Sequence, residues 1–412
     1  MRIENLKSGT RENKARVAAT VTWEDCDRPT SEVYFETDEA FAKDLSCNPH
    51  AFLVGCIIPA LYYGEERVFI DAEVCPELRE GLIEAMSWLR HWFYEPDRAL
   101  VRIEAKTSSS FPTPRTPERA GFFFSGGIDS FATLRVNRLG FPLEHPWSIK
   151  DGLLVYGLEL DVPQAFEYVL SSLSEAAEDA GITLIPVYTN LYLQFRDEDA
   201  PKHFYFWIYE FGGSALAAVA HAFARRLTVA SIAATHDLYH PEPMGSHPLL
   251  DPNFGSTDLR IRHDLFALSR LERTKLIADW DVALQHLRVC NRYKHYQPGK
   301  LNCGQCEKCV RTMLGLLVLG VLDRTRVFPP FEITEQLLSS TVKIREEYDV
   351  GAYGELITPL EDIGRRDLAR ILKGKIARYY DREPGWKGKV KRFDRRYLQG
   401  NLARFKRAGF AG

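Results

Sequence analysis

The middle of the chain alternates continuous apolar segments with segments of helical character, and this alternation restricts the fold more than any other feature. The apolar segments are AGFFF, DGLLVYGLEL, ITLIPV and LTVASIAA, and the helical segments between them cover residues 130–139, 163–180 and 213–226. Strands that are apolar along their whole length are typical of a parallel sheet covered by helices on both faces. We therefore predict a doubly wound α/β domain, a class that binds ligands at the carboxyl ends of its strands.

The flanking segments predict further regions, because a chain of 412 residues is long for a single core. Residues 1–110 mix alternating strand segments with an amphipathic helix, and we expect an N-terminal α+β domain there. The Ser- and Pro-rich residues 111–119 are expected to be a linker to the α/β domain, which covers 120–322. Residues 323–412 are expected to form a helical extension that ends in a basic tail, GWKGKVKRFDRRYLQGNLARFKRAGF.

Composition narrows the function classes. No apolar run approaches the ~20 residues of a membrane-spanning helix, so no membrane partner is expected. The charged start MRIENLKSGTRENKAR does not resemble a secretory signal. The net charge of -3 argues against a chain that coats nucleic acid. Eight cysteines are too few for a disulfide scaffold at this length, so we expect a reducing cytoplasm, where clustered thiols more often bind metal.

Two glycines directly follow the first apolar segment, in the sequence Ser125-Gly126-Gly127-Ile128-Asp129-Ser130. Glycine lets the backbone approach a ligand closely, and the N-terminus of the next helix offers unpaired N–H groups to an anion. The serine hydroxyls can add hydrogen bonds, and the aspartate can hold Mg²⁺ beside phosphates. These six residues are therefore candidates for binding a polyphosphate. The alternative is a tight turn with a capped helix, and a P-loop is excluded because no Lys-Ser/Thr follows the glycines.

Four of the cysteines are clustered late in the chain, as Cys290, Cys303, Cys306 and Cys309. Two or three thiolates within one turn and one remote thiolate can complete a tetrahedral site, which suits Zn²⁺. Such a site stabilises small zinc peptides by about 10–16 kcal/mol. An iron–sulfur cluster is the alternative, because it uses similar spacings, and unrelated core cysteines are a second one.

The loop and the cysteine cluster together resemble one enzyme family. Segment 125–130 is similar to the SGGxDS loop of the N-type ATP pyrophosphatases, or PP-loop enzymes. The later Cys-Gly-x-Cys-x-x-Cys pattern, followed by Arg311, is close to that of 7-cyano-7-deazaguanine synthase, with its structural zinc. The resemblance covers roughly half of the chain and implies a PP-loop fold with zinc at the cysteines. It also implies adenosine near residues 158–161 and pyrophosphate on the loop.

The activity implied by this resemblance is that of a C–N ligase. ATP with Mg²⁺ would be cleaved between its α and β phosphates, and AMP would be transferred to a substrate oxygen. A 7-deazaguanine-type substrate such as 7-carboxy-7-deazaguanine would then become an amide or nitrile. The extra N- and C-terminal regions predict a protein partner that supplies an amine in place of ammonia. Longer synthase-like proteins of this kind occur in anti-phage defence systems, including the Qat type, and this chain resembles them.

A polar, histidine-rich segment follows the fourth apolar strand, where the ligand site of an α/β sheet opens. Its candidates for contacts to substrate or magnesium are His236, Asp237, His240, Ser246, His247, Asp251, Ser256 and Asp264. A solvated surface loop is the alternative for each of them. Arg270, Arg273 and Lys275 begin or precede the next helix, and a cation there would suit the triphosphate. A lysine lies in a similar stretch of the synthase, so Lys275 and Asp129 are the predicted catalytic residues.

Several features depart from the synthase and leave other functions open. The synthase begins almost directly at its loop, and the segment HPLLDPNFGSTD replaces an aspartate- and cysteine-containing segment before its zinc region. One alternative is a tRNA-thiolating or other nucleotide-modifying PP-loop enzyme that uses the basic tail on phosphates. A second alternative is a non-catalytic, ATP-binding scaffold protein whose flanking regions bind a partner. A solvated face is the simplest interpretation of the tail itself.

Overall fold

The computed structural model describes residues 1–108, 118–195, 203–290, 300–330 and 332–381. Most of the predicted linker and all of the basic tail beyond residue 381 lie outside these described residues. The described ranges contain the loop at 125–130 and all four clustered cysteines, so the candidate site can be built from them.

The described strands form one sheet of ten strands. Their bounds are β1 (Arg2–Arg11), β2 (Lys14–Thr22), β3 (Ser31–Asp38), β4 (Arg67–Val74), β5 (Arg102–Thr107), β6 (Ala120–Phe123), β7 (Ile149–Tyr156), β8 (Thr183–Thr189), β9 (Val229–Ala233) and β10 (Arg260–Asp264). The strand order is β10-β9-β6-β7-β8-β3-β2-β1-β4-β5. Neighbours are parallel except at β8–β3, β3–β2 and β2–β1. The predicted α/β class is therefore confirmed, with a mostly parallel sheet.

Helices connect and cover these strands. Their bounds are α1 (Pro49–Tyr63), α2 (Pro76–Phe93), α3 (Ile128–Gly140), α4 (Pro163–Asp179), α5 (Leu191–Phe195), α6 (His203–Phe206), α7 (Gly212–Ala222), α8 (Arg270–Ala278), α9 (Asp281–His286), α10 (Glu307–Val318), α11 (Glu335–Thr341), α12 (Glu347–Gly354), α13 (Ile357–Asp362) and α14 (Arg366–Asp381). A search of the described helices for one with the length and apolarity needed to cross a membrane finds none.

The half of the sheet from β8 to β10 has the topology that positions the loop. Counted along the chain from β6, its strand order is 3-2-1-4-5, so the order reverses between β6 and β9. In sheets of this order, ligands bind in the crevice outside the carboxyl ends of the strands at the reversal. Residues 125–130 leave the carboxyl end of β6, and 234–250 leave the carboxyl end of β9. The two segments predicted to carry the site therefore start at adjacent strand ends.

The N-terminal strands continue the same sheet. Strand β3 pairs antiparallel with β8 through Phe35, Glu36 and Thr37, and the Thr37 hydroxyl donates to the carbonyl oxygen of Pro186 at 2.7 Å. Proline has no N–H for a sheet ladder, which explains why the backbone pairing ends at this point. The Asn190 side chain extends the contact, since its Oδ1 accepts from the Tyr34 N–H at 3.0 Å. The domain limits remain predictions, but the first two regions share one sheet.

Three apolar clusters fill the layers around the sheet. The first packs α1, α2 and α7 against β1–β4 and against Phe123, Leu153 and Ile185 of the parallel half. The second packs α3, α4 and α9 on the opposite face, over Phe122, Phe124 and other side chains. The parallel strands are thus buried on both faces, which explains their continuous apolar sequences. The third cluster joins α10 to the C-terminal helices α11–α14.

Candidate functional site

The loop after β6 turns sharply into α3, and its glycines are required by its geometry. Gly126 has φ +78°, a left-handed conformation that favours glycine, and a Cβ there would lie 3.0 Å from Cδ2 of Leu173. Gly127 is the N-cap residue of α3, and no side-chain hydrogen bond from the described residues caps this helix. The N–H groups of the first turn of α3 are therefore available to an anion.

The serines hold the loop from within. The Gly127 N–H donates to Ser125 Oγ at 3.4 Å, and the Ser130 hydroxyl donates to the Gly127 carbonyl oxygen at 3.0 Å. Ser130 is buried and Ile128 is fully buried, so these two residues anchor the first turn of α3. Ser125 is exposed, so its hydroxyl can also contact a ligand. The structure thus separates the six predicted residues into anchoring and ligand-facing ones.

Asp129 lies between two arginines of α8. Its Oδ2 accepts from Arg270 Nη1 at 2.6 Å, and its Oδ1 accepts from Arg273 Nη1 at 2.9 Å. Burial disfavours the charged carboxylate, but the charges and hydrogen bonds of both arginines outweigh burial and lower the pKa of Asp129 to about 2. Asp129 is therefore ionised at neutral pH, and 25% of its side chain remains exposed to a ligand.

Arg273 joins the loop to the end of β9. Its side chain is 1% exposed and donates to the carbonyl oxygens of Ala234 and His236, the latter at 2.6 Å. Residues three apart lie on the same side of a helix, which explains why Arg270 and Arg273 both reach Asp129. Lys275 is two positions beyond Arg273, about 200° around the helix axis, and is exposed. Within the described ranges, no hydrogen bond or ion pair connects Lys275 to the loop.

A second group of cations lies on the other side of the loop. The Arg288 N–H donates to the Gly126 carbonyl oxygen, and its Nη1 donates to the Ser125 carbonyl oxygen, each at 2.7 Å. Lys308, in the first turn of α10, has an exposed side chain. The charges of Glu159, Arg311, Arg270 and Arg288 all act on its ammonium group.

The four predicted cysteines form one cluster. Their sulfurs all lie within 4.8 Å of one another, with 3.4 Å between Cys306 and Cys309, 3.8 Å between Cys306 and Cys290, and 3.9 Å between Cys303 and Cys309. Four thiolates around a zinc ion with bonds of 2.3 Å lie about 3.8 Å apart, so this cluster could hold a metal such as zinc. Hydrogen bonds within the cluster lower the pKa of Cys303 and raise those of Cys306 and Cys309. Metal binding would therefore release protons.

Buried Asn302 links the two segments that carry the cysteines. Its Oδ1 accepts from the N–H groups of Val289 and Cys290 at 2.8 and 3.2 Å, and its Nδ2 donates to the Leu287 carbonyl oxygen. Cys290 follows Arg288 by two residues, and Cys306 is the N-cap residue of the helix that carries Lys308. The segments that carry Arg288 and Lys308 thus both continue directly from the cysteine cluster.

Two of the predicted substrate residues, His236 and Asp237, are linked to the loop by Arg273. This arginine contacts both the His236 carbonyl oxygen and Asp129 of the loop. The His236 ring stacks on Tyr348 with centroids 4.3 Å apart, and burial lowers the pKa of His236 to about 4, so the ring is neutral at pH 7. Its Nδ1 has no hydrogen-bond partner among the described residues. Asp237 is buried and accepts from the N–H groups of Tyr239 and His240 and from His240 Nδ1, so it stabilises the local turn.

Three of the other predicted substrate residues, Ser246, His247 and Asp251, form a separate network. Fully buried Asp251 accepts from the Ser246 hydroxyl at 2.7 Å, from the His247 N–H at 3.2 Å and from His263 Nδ1 at 2.7 Å. The His247 ring contacts Trp92 of α2, with centroids 4.9 Å apart. No described hydrogen bond connects Ser246, His247 or Asp251 to the loop, and their contacts stabilise the packing against α2.

Two further residues of the candidate site were not identified as such from the sequence: Arg288 and Lys308. Lys308 lies in the first turn of α10, between two of the clustered cysteines. The helix dipole disfavours a cation in the first turn, so a lysine at this position is the local signal that could have indicated a functional role. Glu159 is held by a hydrogen bond from Trp207 Nε1 at 3.0 Å, a long-range contact that no local pattern indicates.

No protein-family model, curated protein or solved structure matches this chain. What the site can do chemically is therefore inferred from its own atoms. Uncapped N–H groups, an ionised carboxylate and converging cations together suit a polyanion bound with a divalent cation.

Proposed function

We propose that this chain is an ATP pyrophosphatase-type ligase with the PP-loop fold. It would transfer AMP to a carboxylate or carbonyl oxygen and release pyrophosphate, and ammonia or a protein amine would then displace AMP to form an amide. With ammonia, a second adenylation of the amide oxygen and loss of AMP would give the nitrile. The observation that carries the proposal is the uncapped glycine loop at the reversal of strand order, with Arg270, Arg288 and Lys308 around it. Together with the resemblance of residues 125–130 to the SGGxDS loop, it supports ATP as the ligand.

The charge around the loop suits a triphosphate better than a single carboxylate. Among the described residues, the Asp129 carboxylate pairs with both Arg270 and Arg273, and Glu159 is the carboxylate whose charge acts on Lys308. A polyphosphate would satisfy the excess positive charge, and cations already fixed in place stabilise the charge that develops on departing pyrophosphate. We therefore assign Arg270 and Lys308 to phosphate binding. Arg273 positions Asp129, and Lys275 is retained only as a prediction from the sequence.

Asp129 fits a role as magnesium ligand. Its carboxylate is ionised at neutral pH and partly exposed, and Mg²⁺ is often held by one or two carboxylates together with the substrate phosphates. Bound magnesium would neutralise phosphate charge during AMP transfer. The exposed Ser125 hydroxyl and the N–H groups of the first turn of α3 would orient the phosphates.

The cysteine cluster fits a structural zinc site that supports the loop. Closed four-thiolate sites leave no open position for a substrate, so zinc would not take part in the chemistry. Its effect would be mechanical, because it would hold the segment of Arg288 and the first turn of α10 in fixed positions. Loss of zinc would then leave the segment of Arg288 and the first turn of α10, two sides of the proposed phosphate site, without this support.

A 7-deazaguanine-type substrate such as 7-carboxy-7-deazaguanine is the proposed acceptor of AMP, on the strength of the resemblance. The stacked pair of His236 and Tyr348, connected to the loop through Arg273, is the part of the structure that best suits a flat heterocycle nearby. A protein amine as the second substrate, a cytoplasmic location and a role in anti-phage defence complete the proposal.

Mass spectrometry of a reaction with ATP, Mg²⁺, 7-carboxy-7-deazaguanine and ammonia tests the proposal. We expect AMP, pyrophosphate and a heterocycle whose mass corresponds to an amide or nitrile. A parallel reaction in which candidate partner proteins replace ammonia should yield a protein that carries the heterocycle. Release of AMP without a modified heterocycle would retain the nucleotide chemistry and reject the substrate.

A further inference from the structure

A cavity of about 460 Å³ lies behind the loop, on the side of α4 and α9. Its wall is formed by one face of α4, the end of α9, and two short segments around residues 300 and 326–330. A volume of this size is in the range of sites for small organic ligands. None of the residues assigned above to phosphate or metal binding lines this cavity, so it is separate from the proposed nucleotide site.

One wall of the cavity carries a trio of polar side chains, of which Ser172 and His286 lie at hydrogen-bond distance. Ser172 Oγ lies 2.9 Å from His286 Nδ1, and His286 Nε2 lies 3.7 Å from Glu175 Oε2. Burial lowers the pKa of His286, so the ring is neutral at pH 7 and offers one donor and one acceptor. Ser172 lies inside α4, where the helix uses the neighbouring N–H groups and leaves none for an oxyanion. The trio therefore suits hydrogen bonding to a ligand and not nucleophilic catalysis.

The charge of the cavity is positive. Lys300 and Arg326 line it with exposed side chains, and neither forms an ion pair with a residue in the described ranges. Glu175, 73% exposed, is the single carboxylate among the lining residues. Phe328, Pro329 and Pro330 add an apolar wall. Two unpaired cations next to an apolar wall favour a ligand that combines an anionic group with a flat apolar part.

We propose that this cavity is a binding site for a small aromatic anion, a carboxylate or a phosphate monoester, held by Lys300 and Arg326 against the wall of Phe328, Pro329 and Pro330. Ser172 and His286 would bind its polar substituents. The anionic group would accept a bidentate pair of hydrogen bonds from the Arg326 guanidinium.

The site is connected to the loop at two points. Leu173, next to Ser172, is the side chain packed against Gly126, and His286 precedes Arg288, which holds the Ser125 and Gly126 carbonyls, by two residues. A ligand that orders these two segments would stabilise the loop. This coupling rests on the proposed function, whereas binding in the cavity does not. With this coupling between cavity and loop, ATP and the aromatic anion must increase each other's affinity by the same factor.

Calorimetric titration of the full chain with phenyl phosphate and with benzoate tests the site and distinguishes the two anionic groups. We expect saturable binding of one or both, weakened at least about 10-fold by Arg326→Glu and by Lys300→Glu. Arg370→Glu, an exposed position on α14, is the matched control and should not change the affinity. Lys308→Ala should also leave it unchanged, because Lys308 lies at the loop.

Two results would overturn the proposal: absence of binding at millimolar concentration, or an affinity that falls with Lys308→Ala but not with Arg326→Glu. Circular dichroism of each variant verifies that it folds. Titration with ATP and Mg²⁺ separates the two proposals, since binding of ATP without binding of either anion would reject the cavity alone. Binding of an anion without binding of ATP would reject the proposed function alone.

Discussion

The two halves of the sheet use charged side chains differently. In the N-terminal half, cations are paired with carboxylates across neighbouring strands: Arg16 contacts Glu32 and Glu36, and Arg67 contacts Glu24 and Glu104. The parallel half also has such pairs, since Arg119 and Arg226 both contact Asp151. At its loop, by contrast, Asp129 has two arginine partners, and exposed Lys308 has no ion-pair partner among the described residues. The excess of cations over carboxylates distinguishes a site prepared for an anionic ligand from a surface that is already neutralised.

The largest expected effect is that of Asp129→Ala. Removal of this carboxylate leaves Arg270 and Arg273 without their partner and removes the proposed magnesium ligand, so pyrophosphate release should fall by about 1000-fold. A coupled assay of pyrophosphate measures it. The matched control is Asp71→Asn in the N-terminal half, where an exposed carboxylate contacts Lys106. Comparable losses of pyrophosphate release in the two variants would contradict the proposed difference between the two halves.

Removal of the metal should have the next largest effect. Cys306→Ser should lose zinc and decrease the free energy of unfolding by at least about 3 kcal/mol, because the metal fixes the segments at 288–290 and 303–309. Elemental analysis and denaturant titration measure both quantities. Half-buried Cys26→Ser should retain one zinc per chain. A brown protein that contains iron would contradict the zinc assignment and favour a cluster.

Arg270 and Lys275 allow a direct comparison within one helix. Arg270→Ala should weaken ATP binding by about 10- to 100-fold, because a charge-assisted contact to phosphate is lost. Lys275→Ala should change it less than about 2-fold, since Lys275 lies on the other side of α8. Isothermal titration of both variants measures the difference. The reverse order of effects would restore Lys275 as the catalytic cation.

The smallest predicted effect is a pH dependence of stability from His50 in the N-terminal half. Burial lowers the pKa of His50 from 6.5 to about 4, and its Nε2 accepts from the Cys75 N–H at 3.0 Å. Its contribution is complete above pH 6.5 and is lost as pH falls toward 4, because only the unfolded chain binds the proton there. His50→Gln, which keeps an acceptor, should reduce this loss by about 2 kcal/mol in denaturant titrations at the two pH values. If the loss of stability between pH 6.5 and pH 4 is the same with and without the His50→Gln substitution, His50 is protonated in the folded state.

The parallel half and the metal cluster could be predicted from local sequence. Continuous apolar strands indicate burial on both faces, and the close spacing of Cys303, Cys306 and Cys309 allows their three sulfurs to meet. The spacing of Arg270 and Arg273 also contained the information that they share a helix face. Lys275 was preferred because of a resemblance, and helix geometry places it on the opposite side.

Other features depend on contacts that are distant in sequence. Pro186 in β8 is typical of an edge strand, yet β3 pairs with β8 and joins the two halves of the sheet. The separation of His236 from Ser246, His247 and Asp251 depends on Arg273 and His263, which lie on different elements. A polar segment predicts that a site is near, but only the packing of the folded chain determines which side chains of the segment face that site.

Calorimetric titration of the folded full chain with ATP and Mg²⁺ tests the central claim, that residues 125–130 bind the phosphates of ATP. We expect one binding site per chain, weakened at least about 10-fold by Gly126→Ala, because a Cβ at φ +78° strains the turn and meets Leu173. Absence of any heat of binding on protein that circular dichroism shows to be folded would contradict the claim.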